Sequence, residues 1–138
     1  MSTMGSIVKE ITVTAAPDQV WDALRDYGAV HQRVVPGFVV ASELEGPDRV
    51  LTFSSGSVAR ERLVSLDDER RRLVYSVVEG QLGFTHHQAS VEVTAAPSGT
   101  GSRIVWSSDF LPEELGGVVG FLMGEGAYAM GRAFGQDA

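Results

Sequence analysis

A chain of 138 residues is long enough for one domain with a real hydrophobic core, because the fraction of surface buried on folding is already large at this size. Its 11 Lys and Arg stand against 18 Asp and Glu, a net charge of −7, so a phosphate backbone would meet repulsion and nucleic acid is not an expected partner. With no cysteine there is no disulfide, no thiolate nucleophile and no cysteine-ligated metal centre, and no apolar run approaches the roughly 20 residues of a membrane helix.

The opening MSTMGSIVKE lacks a basic segment followed by an apolar one, so a cytoplasmic protein is expected. Residues 7–14, IVKEITVT, alternate with the period of two that marks a half-buried strand. In AAPDQVWDALRDYGAV the spacing becomes helical, with Val20, Trp21 and Leu24 on one face and Pro17 in the first turn, where its missing N–H costs nothing. A second short helix is expected to about Arg33, broken by Pro36-Gly37. FVVASELEG, RVLTFSS, ARERLVSL and RRLVYSVVEG then read as consecutive strands, with turns at Gly46-Pro47-Asp48, SSGS and LDDER. FTHHQASVEVTA and SRIVWSSDF flank the turn PSGTG, and from Pro112 a long helix runs to about Gln136. The sum is a single α+β domain over residues 1–138: seven antiparallel strands, two short helices after the first, and one long C-terminal helix to cover the sheet. That helix carries seven glycines between 116 and 135, each costing about 1 kcal/mol relative to Ala, so burial must hold it. The glycines allow either close packing on the sheet or room for something that is not protein.

Four stretches, APDQVWDALRDYGAV with VVPGFV, ARERLVSLDDERRRLVYSVVEG, SRIVWSSDF and the terminal helix, resemble the START-like, Bet v 1-like helix-grip superfamily, in particular bacterial polyketide cyclase/dehydrase and lipid-transport proteins. ERL, LDDE and SVV also resemble plant abscisic-acid receptors. The resemblance implies a curved sheet wrapped around the long helix, with an apolar cavity between them for a small hydrophobic molecule. Relatives often carry a Trp where this chain has His31-Gln32-Arg33, which implies a more polar rim here.

Strand alternation separates the adjacent His86 and His87, so they form no bidentate metal clamp, and no metal or other cofactor is expected. His87 shares its side with Ala89, Val91 and Val93 and is expected to face inward; the matching position faces ligand in the plant receptors. Glu61 shares a side with Ala59 and Leu63. It is either an exposed carboxylate of a charged strand or an inward one, in which case an apolar wall would raise its pKa toward the range of a general acid or base. Tyr75 shares a side with Leu73 and Val77 and is either a core aromatic or a phenol that binds a carbonyl oxygen. Leu51 and Phe53, on the same side as Arg49, are expected cavity wall, as are Ala89 and, on the long helix, Met123, Ala127 and Met130. Trp106 aligns with Ile104 and Phe110, whereas the resemblance places Ser107 toward the ligand; a regular strand cannot do both, and Trp106 is read as structural.

Two functions follow as expectations. One is a cofactor-free enzyme of the polyketide cyclase/dehydrase kind, with Glu61, His87 and Tyr75 moving protons. The other is a non-catalytic carrier or sensor of a hydrophobic ligand or lipid, gated by loops 54–57 and 80–83, the protein being a monomer or homodimer in either case.

Overall fold

The computed structural model describes residues 3–135. Its elements follow the expected order: β1 (Gly5–Val13), α1 (Pro17–Arg25), a 3-10 turn (Tyr27–Ala29), α2 (Val30–Arg33), β2 (Val39–Glu45), β3 (Asp48–Phe53), β4 (Val58–Asp67), β5 (Arg72–Gly80), β6 (His86–Ala95), β7 (Ser102–Leu111), a second 3-10 turn (Glu113–Leu115) and α3 (Gly116–Phe134). The strands form one antiparallel sheet in the order β1-β7-β6-β5-β4-β3-β2, so the first strand closes against the last and the remainder is a meander. Among the described residues no helix is long and apolar enough to cross a membrane.

Local chemistry sets the ends of the elements. Pro17 occupies the first turn of α1, and Gln19 accepts the Ala16 amide, an N-terminal donor the helix itself cannot satisfy. Gly135 stops α3 at φ 83°, a left-handed conformation in which glycine carries no Cβ penalty. β4 departs from regular register between Arg60 and Glu61 and again between Leu63 and Ser65. Such irregularities bend a strand.

The core lies between the concave face and α3. Ile104 and Phe110 on β7, Val93 on β6 and Val20 on α1 are essentially fully buried, and α3 contributes Val119, Met123, Ala129, Met130 and Phe134. Full burial of side chains of this size stabilises by about 1.5–3 kcal/mol each, which is how a helix with so many glycines is held. One glycine has a specific partner. A methyl at Gly126 would lie 2.9 Å from Trp106 Cη2 and 3.0 Å from Cζ3, so the helix backbone comes down directly on the indole. At that position the occupant of the space is protein.

Candidate functional site

Between α3, the loops at one end of the sheet and the concave face lies a cavity of about 410 Å³. Most of its wall is aliphatic or aromatic, including Val30 and Val35 near α2, Leu51 and Phe53 on β3, and Met123 and Met130 on α3. Polar side chains interrupt that wall: Arg49, Glu61, Tyr75, His87 and Ser108 from the strands, with Ser54, Ser55, Ser57 and Gln81 from the loops and Glu125 from α3.

Arg49 and Glu61 face each other across the β3–β4 hairpin as direct register partners. The Arg49 Nε–H donates to Glu61 Oε1 at 2.9 Å, and Nη2 approaches the same oxygen at 2.8 Å; the two side chains are 6% and 9% exposed. The guanidinium also donates from Nη1 to the Tyr27 carbonyl at 3.2 Å and lies 4.0 Å above the Tyr27 ring and 5.2 Å from the Tyr75 ring. Planar stacking of this kind is a property of Arg that Lys would not reproduce. Both contacts from Arg49 fall on Oε1, and Glu61 Oε2 has no hydrogen-bond partner among the described residues. The apolar neighbour expected for this carboxylate is instead a guanidinium.

Tyr75 Oη accepts a hydrogen bond from Trp106 Nε1 at 3.0 Å. Burial, then the charge of Glu61, push its phenol well above the ordinary tyrosine value, so it stays protonated and its O–H remains a donor. Tyr27 is raised in the same way by burial, and its hydroxyl donates to the Glu61 carbonyl at 2.9 Å.

His87 has an unusual backbone partner. β5 and β6 pair regularly only through Tyr75 and Ala89. Beyond that point the ladder opens, the Val77 N–H donates 2.9 Å to His87 Nδ1, and the Ser76 hydroxyl donates to the His87 carbonyl. An Nδ1 that accepts a backbone N–H carries the lone pair, so the neutral ring bears its proton on Nε2, where it meets Ser108 Oγ at 3.2 Å. Burial pushes the imidazole down to about 4; the neighbouring His86 acts in the same direction and Asp109 against it. The ring is therefore neutral at pH 7 and its basic nitrogen is occupied.

A pH dependence follows. Between the ordinary 6.5 and about 4 the unfolded chain takes up a proton at this position that the folded protein does not, so stability falls as pH drops through that window. The loss by pH 4.5 should be on the order of 2 kcal/mol. Urea denaturation at pH 7 and pH 4.5 checks it: the wild-type loss should exceed that of His87→Leu by this amount, and equal losses would rule the effect out.

The inward orientation expected for Tyr75 and His87 is observed, Glu61 takes the inward one of its two alternatives, and His86 is exposed on the other side of the sheet. Leu51, Phe53, Met123 and Met130 line the cavity as expected. Four expectations need correction. Ser107 points away from the cavity, where its hydroxyl pairs with Ser90 at 2.8 Å, while Trp106 and Ser108 share the inward side with Ile104 and Phe110. Ala89 faces inward but is packed in the core between its register partners Tyr75 and Ser108, and its methyl does not reach the cavity. Ala127 packs against the core from the side of α3 without lining the space. The polar rim expected at 31–33 is also absent from the cavity, because Arg33 turns outward to Asp22 and Asp26 and the lining comes from Val30, Val34 and Val35. Loops 54–57 and 80–83 do border the opening, tied by a hydrogen bond from Ser57 Oγ to Gln81 Oε1 at 2.9 Å.

Residues 4–138 match the family model described as polyketide cyclase / dehydrase and lipid transport. The MLP-like protein 423 of Arabidopsis thaliana is 25% identical over 121 residues, covering 80% of this chain and 78% of that protein. Among solved structures, XoxI from Bacillus cereus superposes with a TM-score of 0.83 at 20% identity, covering 94% of this chain and 95% of the other. A point mutant of Thalictrum flavum norcoclaurine synthase, in complex with a transition-state analogue, superposes with a TM-score of 0.72 at 21% identity over 97% of this chain and 93% of the other.

Proposed function

This chain belongs to the polyketide cyclase/dehydrase and lipid-transport family, and from that premise we propose that it is a carrier or sensor of a small hydrophobic molecule held in the cavity beneath α3. The observation that carries this is the cavity itself: about 410 Å³, walled mainly by apolar side chains, with a few polar groups gathered around Tyr75. That size and composition suit a small-molecule site in which apolar contact supplies most of the affinity and polar contacts fix orientation. Against acid–base chemistry at His87 stands its geometry, since the only nitrogen able to take a proton already accepts the Val77 N–H. Loops 54–57 and 80–83, linked by one exposed hydrogen bond, are suited to opening and closing the entrance.

A second function, cofactor-free catalysis of the cyclase/dehydrase kind, is favoured by one observation: the cavity wall carries both the unpartnered Glu61 Oε2 and a Tyr75 hydroxyl that still has a proton to donate. A positioned carboxylate and phenol in a mainly apolar cavity could shift a proton on a bound carbonyl compound. Norcoclaurine synthase is an enzyme on this fold. The discriminator is whether the molecule leaves chemically changed.

Binding is tested with N-phenyl-1-naphthylamine, a neutral apolar fluorophore. One molecule per chain should bind with enhanced emission, and Ala59→Trp, which places an indole in the cavity, should weaken binding by at least about tenfold. Unchanged affinity in a folded Ala59→Trp protein would place the fluorophore elsewhere and count against the proposal.

A further inference from the structure

We propose that Glu61 makes the cavity selective for an electrically neutral ligand bearing oxygen acceptors at one end, and that it excludes a carboxylate of the same skeleton by cancelling the charge of Arg49. The inference rests on the cavity being a ligand site, as set out above.

The charges at the cavity are few. Among the described residues Arg49 is the only Lys or Arg that lines it, Glu61 holds that guanidinium from 2.8 Å, and Glu125 on α3 stands exposed at the mouth. An incoming carboxylate would pass one negative charge and then meet an ion pair already neutralised. It would lose its hydration without gaining a free countercharge, which strongly disfavours its entry. A ligand cation would find Glu61 engaged in the same way.

The hydrogen-bond inventory favours a neutral oxygen compound. Tyr75 Oη is an acceptor toward Trp106, and Ser108 Oγ is an acceptor toward the Nε2–H that the His87–Val77 bond enforces. Each hydroxyl therefore has its own proton left over, with no acceptor among the described residues. Two O–H donors consequently line the cavity, Tyr75 from β5 and Ser108 from β7. Ketone, ester, ether or phenol oxygens could accept from both. Glu61 Oε2 adds one acceptor, so a hydroxyl beside the carbonyl would be matched too.

The test compares 2-acetylnaphthalene with 2-naphthoate, one skeleton with a ketone or a carboxylate, by calorimetric titration at pH 7. Wild type should bind the ketone at least about tenfold more tightly. Glu61→Gln, which keeps the shape and uncovers Arg49, should shift that ratio by about tenfold toward the carboxylate. Equal or tighter binding of naphthoate by wild type would overturn the proposal, as would an unshifted ratio in a folded Glu61→Gln protein. Should that variant fail to fold, Ser108→Ala provides the second measurement: the preference for 2-acetylnaphthalene over 2-ethylnaphthalene should shrink about fivefold, and an unchanged preference counts against the hydroxyl pair. If none of the three naphthalenes binds, the ligand-site assignment itself falls. Binding without discrimination overturns only the selectivity.

Discussion

Arg49→Met, with Glu61 left in place, is expected to destabilise the protein by about 3–5 kcal/mol, the cost of leaving one member of a buried ion pair uncompensated. Both side chains are less than a tenth exposed, and the guanidinium additionally holds the Tyr27 carbonyl and stacks on its ring. The double variant Arg49→Met/Glu61→Leu should recover most of that loss, because two apolar groups of similar volume face no desolvation penalty. Urea denaturation of the four proteins in a double-mutant cycle reads the result. A single-variant cost below about 1 kcal/mol, the range of exposed pairs, would show that water screens the pair and would remove the electrostatic basis of the proposed selectivity. Full recovery would mean that the pair contributes little net stability. Its presence then has to be explained by what it does to the charge inside the cavity, which is where the proposed discrimination acts.

This pair also shows how far the sequence could be read. Alternation placed Arg49 with Leu51 and Phe53, and Glu61 with Ala59 and Leu63, on sides that the structure turns inward. The ion pair itself was within reach: counting outward from the SSGS turn sets Leu51 opposite Ala59 and Arg49 opposite Glu61, which is the observed register. The same alternation, applied to Ile104 and Phe110, puts Trp106 and Ser108 inward, and it was the resemblance to ligand-binding relatives that wrongly favoured Ser107. The helix-grip order was legible because strand and helix periods change sharply along the chain. What no local pattern carries is the opening of the β5–β6 ladder, where a side-chain nitrogen replaces a carbonyl as the acceptor of the Val77 N–H. That exchange depends on how two strands diverge in three dimensions, and it fixes the tautomer on which the chemistry of His87 turns. The Gly126–Trp106 contact is tertiary in the same sense, since a glycine-rich helix does not by itself say which glycine meets an indole.

Phe110→Ala is expected to cost about 3–5 kcal/mol, the range for removing a fully buried phenylalanine ring. Phe110 is 0% exposed and forms a cluster of its own with Val119 and Met123 from α3. Its ring lies over Gly5, its register partner on edge strand β1, where an added methyl would clash with Cε2, and its centroid stands 6.1 Å from that of Phe84. One side chain thus joins the first strand, the N-terminal half of the long helix and the loop that carries Phe84 against His87. On the strand side the neighbour is a glycine, which has no side chain to move into the void. Phe121→Ala is the comparison. Phe121 is 64% exposed at the cavity mouth, and its removal should change stability by no more than about 0.5 kcal/mol. Denaturant midpoints for the two variants decide the matter: similar small losses would mean that the helix is not anchored through Phe110. A large gap between them would assign the hold on a glycine-rich helix to a few buried side chains and not to its propensity.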